Sequence, residues 1–375
     1  MPDTPILTTN AQVAELAAEL GRETAIAVDL EADSMHCYQE KVCLLQFSTS
    51  QRTVLVDPLA GADLGPLRGV LADAGIRKIF HAADYDIRCL FRDFGIEIRG
   101  LFDTMISCQF LGEEKVGLAD VLGKYFGVQL DKQFQRADWA QRPLSPGMIR
   151  YAAEDTRHLH GLVELLQGKL LEKGRLEWVA EEFELLEKVR HSENSGPMFL
   201  RLKGAGTLDR RALAVAEALL QWRDGEARRR DCPPFKVLGT EPLLALASRQ
   251  PQDASALVGI DGLPSRLAER YGRELLNAVA AGLALPEANL PRYPRSERPL
   301  RDPEVDARTA RLKEWRKAKA AELEIDAGVL INNVLLEELA RRQPRSAAAL
   351  ATVPGLKRWQ QRELGPGLLQ ALATP

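Results

Sequence analysis

Asp29 and Glu31 close a short apolar run, Thr24-Ala25-Ile26-Ala27-Val28, whose length and β-branched members predict a buried strand. Strand side chains alternate between faces, so carboxylates two residues apart point toward one place. Left unpaired in a low-dielectric setting, one of them would hold its proton, whereas a divalent cation would keep both ionised. Asp86 falls in the opening turns of a helix predicted to follow a brief strand across Lys78 to Leu90. Tyr151 and Asp155 are four apart in a helical segment running from Gly147 to Leu159, which puts them on one face. Carboxylate-only donors are hard oxygen ligands that suit Mg²⁺ or Mn²⁺ and argue against zinc. The order and type of these five residues point to metal-dependent cleavage of phosphodiester bonds. Taken singly, each has a plainer reading. Asp29-x-Glu31 is also what a strand running into a polar loop looks like, and the helix dipole favours Asp86 without any ligand. Tyr151 and Asp155 also suit an ordinary surface helix.

Together the motifs resemble the DEDD superfamily of 3′-5′ exonucleases, in the branch with tyrosine before the last aspartate. The likeness continues through Leu130-Asp131-Lys132, Arg136-Ala137-Asp138-Trp139 and Arg142-Pro143-Leu144, which resemble the stretch before the third motif in the ribonuclease D family. The resemblance implies an α/β ribonuclease H-like exonuclease domain, a mixed sheet flanked by helices, with two all-α HRDC-like domains after it. It further implies that Asp29, Glu31, Asp86 and Asp155 hold two divalent cations, Mg²⁺ or Mn²⁺, and that Tyr151 positions the attacking water. The implied activity is hydrolysis of RNA from its 3′ end by a two-metal-ion mechanism, releasing nucleoside 5′-monophosphates in the 3′ maturation of tRNA precursors. A DNA 3′-5′ exonuclease of proofreading or repair type would use the same site. An inactive nucleic-acid-binding scaffold is disfavoured because all five positions are occupied.

Nearby polar residues have structural readings. His81, at a strand-to-helix turn, is expected to make structural hydrogen bonds rather than act as a general acid. His158 and His160, two apart on a predicted helix, should diverge. Asp103 reads as an N-cap and stays outside the metal set. Met35, His36 and Tyr38 lie on a predicted loop after the first motif, where Tyr38 is expected to pack rather than stack on a base.

The elements that must position these residues begin with three strands, Ala25 to Leu30, Val42 to Ser48 and Thr53 to Asp57, whose short connections fit antiparallel pairing. At 375 residues the chain exceeds one ordinary core, and its apolar content is ample for two or three domains. Five cysteines without C-x-x-C spacing suggest reduced thiols. Reduced thiols point to the cytoplasm, and the N-terminus shows no basic stretch leading into a long apolar run, so no membrane role is expected. The formal net charge of −3 does not mark a nucleic-acid binder, but cations cluster at Arg228-Arg229-Arg230, at Arg292, Arg295, Arg298 and Arg301, and at Arg311, Lys313, Arg316, Lys317 and Lys319. These could contact phosphates or form a solvated face.

A shift of 93 positions superposes Trp222-Arg223 on Trp315-Arg316, Arg249-Gln250-Pro251 on Arg342-Gln343-Pro344 and Gly262-Leu263 on Gly355-Leu356, which marks a duplicated helical module. Its pattern resembles HRDC domains. The expected division is an exonuclease domain over 1–195, a first module over 207–286, a Pro/Arg-rich linker over 287–303 and a second module over 304–375. The repeated Trp reads as core, and Gly262 and Gly355 as turns before helices. Tyr271-Gly272 in the first copy becomes Leu364-Gly365 in the second, so RNA contact by both copies is an open question. No obligate protein partner is expected.

Overall fold

The computed structural model describes residues 4–192, 195–294 and 302–373. Six strands form one sheet: β1 (Ile6–Leu7), β2 (Ala25–Ala32), β3 (Val42–Ser48), β4 (Thr53–Val56), β5 (Arg77–Phe80) and β6 (Leu101–Asp103), in the order β1-β4-β3-β2-β5-β6. β2, β3 and β4 pair antiparallel as expected, while β1 on β4, β5 on β2 and β6 on β5 are parallel. The mixed sheet follows from connection length: short loops close the meander, and the parallel additions cross over through helices. β3 is buried along its whole length, which is why it reads as a largely apolar run that includes Gln46 and ends at Ser48.

Helices α1 (Asn10–Leu20), α2 (Leu67–Ala72), α3 (Asp84–Phe94), α4 (Thr104–Leu111), α5 (Leu118–Phe126), α6 (Pro146–Arg157), α7 (Leu159–Glu172) and α8 (Leu176–Leu186) complete this part. The all-α remainder comprises α9 (Arg210–Arg229), α10 (Pro234–Val237), α11 (Thr240–Arg249) and α12 (Ser265–Leu283), then α13 (Pro303–Leu323), α14 (Ala327–Leu330), α15 (Asn333–Arg342), α16 (Ala347–Ala351) and α17 (Arg358–Ala373). Arg295, Arg298 and Arg301 of the connecting segment lie outside the described residues.

The two helical copies repeat local detail at the 93-residue offset. Arg223 donates to the Leu238 carbonyl and Arg316 to that of Ile331. Gln250 and Gln343 end α11 and α15 in the left-handed region. Gly272 faces Leu257 and Gly365 faces Leu350, each leaving a Cβ position 3.2 Å from the leucine. Trp222 packs edge-on against Tyr271, at 5.4 Å between centroids, within the apolar cluster of its module.

By packing, the chain forms two compact units. One contains the described residues of 1–32, 42–191 and 299–375, and the other those of 33–41 and 192–298. In the first unit the second helical copy shares a core with α8. Trp359 stacks on Trp178 at 4.9 Å and 13°, with Phe110 edge-on at 5.4 Å. The acidic face of α8 receives the start of α17: Glu181 accepts from the backbone of Arg358 and Trp359, Glu182 from Lys357 and the Trp359 indole, and Glu177 from Arg362. In the second unit the segment 33–41 lies on α9, where the Tyr38 hydroxyl bonds Asp224 at 2.8 Å and the Arg228 guanidinium sits 5.3 Å from the Tyr38 ring. Tyr38 is therefore a packed residue. At the end of α9, Arg228 pairs with Asp224 and Arg229 with Glu226, and Arg230, just after the helix, donates to the Tyr271 hydroxyl.

Candidate active site

β2 carries Ile26, Ala27, Val28 and Leu30 into the core, and this burial fixes the strand so that Asp29 and Glu31 share a face near its C-terminal end. Pairing with β3 sets Gln46 opposite Asp29 and Leu44 opposite Glu31, and a register irregularity between Glu31 and Ala32 interrupts the ladder there. α6 lies over the same face. It starts sharply because Ser145 caps it, accepting from Met148 N, and Pro146 occupies its first position. Met148 and Ala152 pack with Leu44, Leu55 and Trp139, and Thr156 bonds Ser48 at 2.7 Å. So seated, the helix brings Asp155 to the strand: ligand oxygens of Asp29, Glu31 and Asp155 all lie within 4.8 Å of one another.

Asp86, in the first turn of α3, is buried; its charge is felt at Glu31, and it in turn feels that of Asp29. It stands outside the three-residue group that closes within 4.8 Å. The turn before α3 is held by Asp103, which accepts from the amides of Ala82 and Ala83 while capping α4 through Met105 and Ile106. Asp103 is thus fully engaged as a cap. His81 bonds Thr104 at 2.9 Å, the structural role expected, and burial lowers its pKa. The helix expected to carry both His158 and His160 is broken at His158, between α6 and α7. The two rings diverge, His158 to Glu154 and His160 to the Ser48 carbonyl.

The electrostatics follow from burying anions together. Desolvation pushes the Asp29 carboxyl up to about 7 and that of Asp155 up to about 8. Glu31 rises to about 10, through desolvation first and then the charges of Asp29, Asp155 and Asp86. Asp86 is raised well above its usual range, again by burial and then Asp29. Tyr151 is also raised, by burial and the neighbouring carboxylates, so it is a neutral phenol at physiological pH. Clustered oxygen donors that cannot all ionise on their own fit a hard divalent cation, whose charge would compensate them.

Asp29, Tyr151 and Asp155 open on a cleft of about 370 Å³ that His81, Lys132 and Gln135 also line. An adjoining cleft of about 360 Å³ is lined by Tyr151, Asp155, Phe134, Gly147 and Arg150. Phe134 meets the Tyr151 ring edge-on at 6.1 Å, and Trp139 lies 5.9 Å away. Lys132 and Trp139 stood in the stretches whose wording carried the resemblance, but Gln135, Phe134 and Gln46 gave no spacing signal of their own.

The mixed sheet with a carboxylate cluster at one face defines a 3′-5′ exonuclease domain. A family model with that description, 3′-5′ exonuclease, matches residues 5–171, and the HRDC domain model matches 212–279 and 306–372. Ribonuclease D of Granulibacter bethesdensis is 32% identical over 98% of this chain and 92% of its own length. That of Gluconacetobacter diazotrophicus is 35% identical over 79% of this chain and 76% of its own. Among solved structures, Escherichia coli RNase D, described as an exoribonuclease involved in structured RNA processing, matches with a TM-score of 0.75 at 27% identity over 99% of this chain and 98% of that one. The catalytic core of RRP6 from Trypanosoma brucei matches at 0.65 and 32% identity over 76% and 81%. The chain belongs to the ribonuclease D family and is a 3′-5′ exoribonuclease, of a divalent-metal-dependent kind.

Proposed function

We propose that the chain removes nucleotides from the 3′ end of RNA, tRNA precursors foremost, releasing nucleoside 5′-monophosphates. Asp29, Glu31, Asp86 and Asp155 are the cation ligands in this reading, and Tyr151 orients the attacking water. The observation that carries it is the convergence of Asp29, Glu31 and Asp155, with Asp29, Asp155 and Tyr151 lining one cleft. Two Mg²⁺ or Mn²⁺ ions bound there would supply charge compensation for the carboxylates and for the scissile phosphate.

Tyr151, held neutral, supplies a hydrogen bond to water rather than removing its proton. Phe134 and Trp139 keep its ring in place. Attack at phosphorus with departure of the 3′ oxygen leaves the phosphate on the released nucleotide's 5′ oxygen. The reading places the enzyme in the cytoplasm and keeps the division 1–195, 207–286, 287–303 and 304–375. No helix among the described residues is long and apolar enough to cross a membrane.

A time course with Mg²⁺ on matched 5′-labelled RNA and DNA oligonucleotides, with Asp29→Ala as control, tests the proposal. Stepwise shortening of RNA alone is expected. Equal shortening of DNA would favour a DNA exonuclease, and cleavage that survives chelation or Asp29→Ala would overturn the site.

A further inference from the structure

Gln46 is fully buried, and neither atom of its carboxamide has a hydrogen-bond partner. A buried amide without partners costs the folded chain free energy that an apolar side chain of similar shape would not. Its neighbours follow from the ladder. Along β3, Leu44 and Ser48 share its face, and across the sheet Leu55 of β4 lies on one side and Asp29 of β2 on the other. Leu44 and Leu55 offer no polar side-chain atom. The Ser48 hydroxyl is already engaged with Thr53 and Thr156, both at 2.7 Å. Asp29 is its direct cross-strand polar neighbour, since directly opposed residues have Cβ atoms about 4.5–5.5 Å apart.

We propose that Gln46 is a positioning residue for Asp29: in the cation-loaded protein its carboxamide N–H donates to the Asp29 carboxylate and holds it in the ligating rotamer. This rests on Asp29 being a cation ligand. Partners of ligating carboxylates commonly change metal affinity by about 10- to 100-fold when removed. Seen this way, the amide kept inside an otherwise apolar strand serves the site rather than the core.

The experiment is calorimetric titration of Mn²⁺ into the full chain, for wild type, Gln46→Met, Gln46→Leu and Asp29→Ala, with melting temperatures measured in chelator. Gln46→Met is expected to weaken Mn²⁺ binding by about 10-fold or more while its metal-free melting temperature stays level or rises. Gln46→Leu guards against a packing defect particular to methionine. Unchanged Mn²⁺ affinity in both variants overturns the proposal. So does an affinity loss that follows a fall in metal-free melting temperature in both, since that would make Gln46 a packing residue. If Asp29→Ala binds Mn²⁺ like wild type, the cation site itself is misplaced, an outcome distinct from failure at Gln46 alone.

Discussion

Asp155 illustrates how a single side chain links charge to function. It sits on a helix that other contacts secure, so Asp155→Asn should leave the melting temperature within a few degrees of wild type while lowering kcat about a thousandfold. Retained turnover would remove it from the site. The raised carboxyl pKa values make a second prediction. From their ordinary 3.8 and 4.5 up to about 7, 8 and 10, Asp29, Asp155 and Glu31 hold protons when folded that the unfolded chain has released. Stability of the metal-free protein therefore falls as pH rises through that window. Mg²⁺ should raise the melting temperature more at about pH 8.5 than at about pH 6, because it relieves repulsion present only when the carboxylates are ionised. An equal rise at both would contradict the coupling. At this scale the carboxylate group was partly legible: strand alternation put Asp29 and Glu31 on one face, while the convergence of Asp155 on them needed the tertiary fold. Gln46 was not, because a lone glutamine in an apolar strand has no periodic partner, and only the strand register sets it opposite Asp29.

At the scale of elements, the first turn of α6 receives the Phe134 ring against Gly147. Gly147, one turn before Tyr151, leaves a Cβ position 2.7 Å from Phe134 Cζ. Gly147→Ala should push Phe134 away from Tyr151 and lower kcat about 10- to 100-fold with little loss of stability, and adding Phe134→Leu should not restore activity, since the ring contact itself is gone. Wild-type kcat in Gly147→Ala would show that the aromatic contact does not position the phenol. Helix α12 carries a different constraint. A Cβ on Gly282 would lie 2.5 Å from the Val215 Cα in α9, a backbone atom that cannot swing aside. Gly282→Ala should destabilise the protein by about 1–3 kcal/mol in chemical denaturation. The strands and the α6 helix were readable from period and β-branching, whereas the break between α6 and α7 at His158 was not, since helical apolar spacing runs through it.

For the whole molecule, the second helical copy is joined in one core to the sheet-bearing part, although some hundred residues of other structure intervene in sequence. Gly112 shows how closely the two pack. It adopts φ 83°, and a Cβ there would fall 1.8 Å from the Glu324 carbonyl oxygen. Gly112→Ala should cost about 2–4 kcal/mol through backbone strain and displacement of α13 together. A chain ending before residue 302 should melt lower and lose cleavage of short unstructured RNA as well as of structured RNA, since Trp178 loses its stacked partner. Retained stability in that truncation would show that the copy is only an appendage.

Local frame was readable in the sequence, because strand alternation at Asp29 and Glu31 and the helical spacing of Tyr151 and Asp155 depend on residues near one another in the chain, whereas the activity came from a resemblance in the order of motifs. The sequence also determined the duplication, which needs only self-comparison. Tertiary structure alone decided that α6 closes over β2 and β3 to bring Asp155 to Asp29 and Glu31, and that Gln46 stands opposite Asp29 without a partner. It likewise decided that the second copy spends its Lys357, Arg358 and Arg362 on the acidic face of α8. These outcomes depend on which distant surfaces meet, and burial of complementary apolar and charged faces leaves no periodic trace from which that choice could be read.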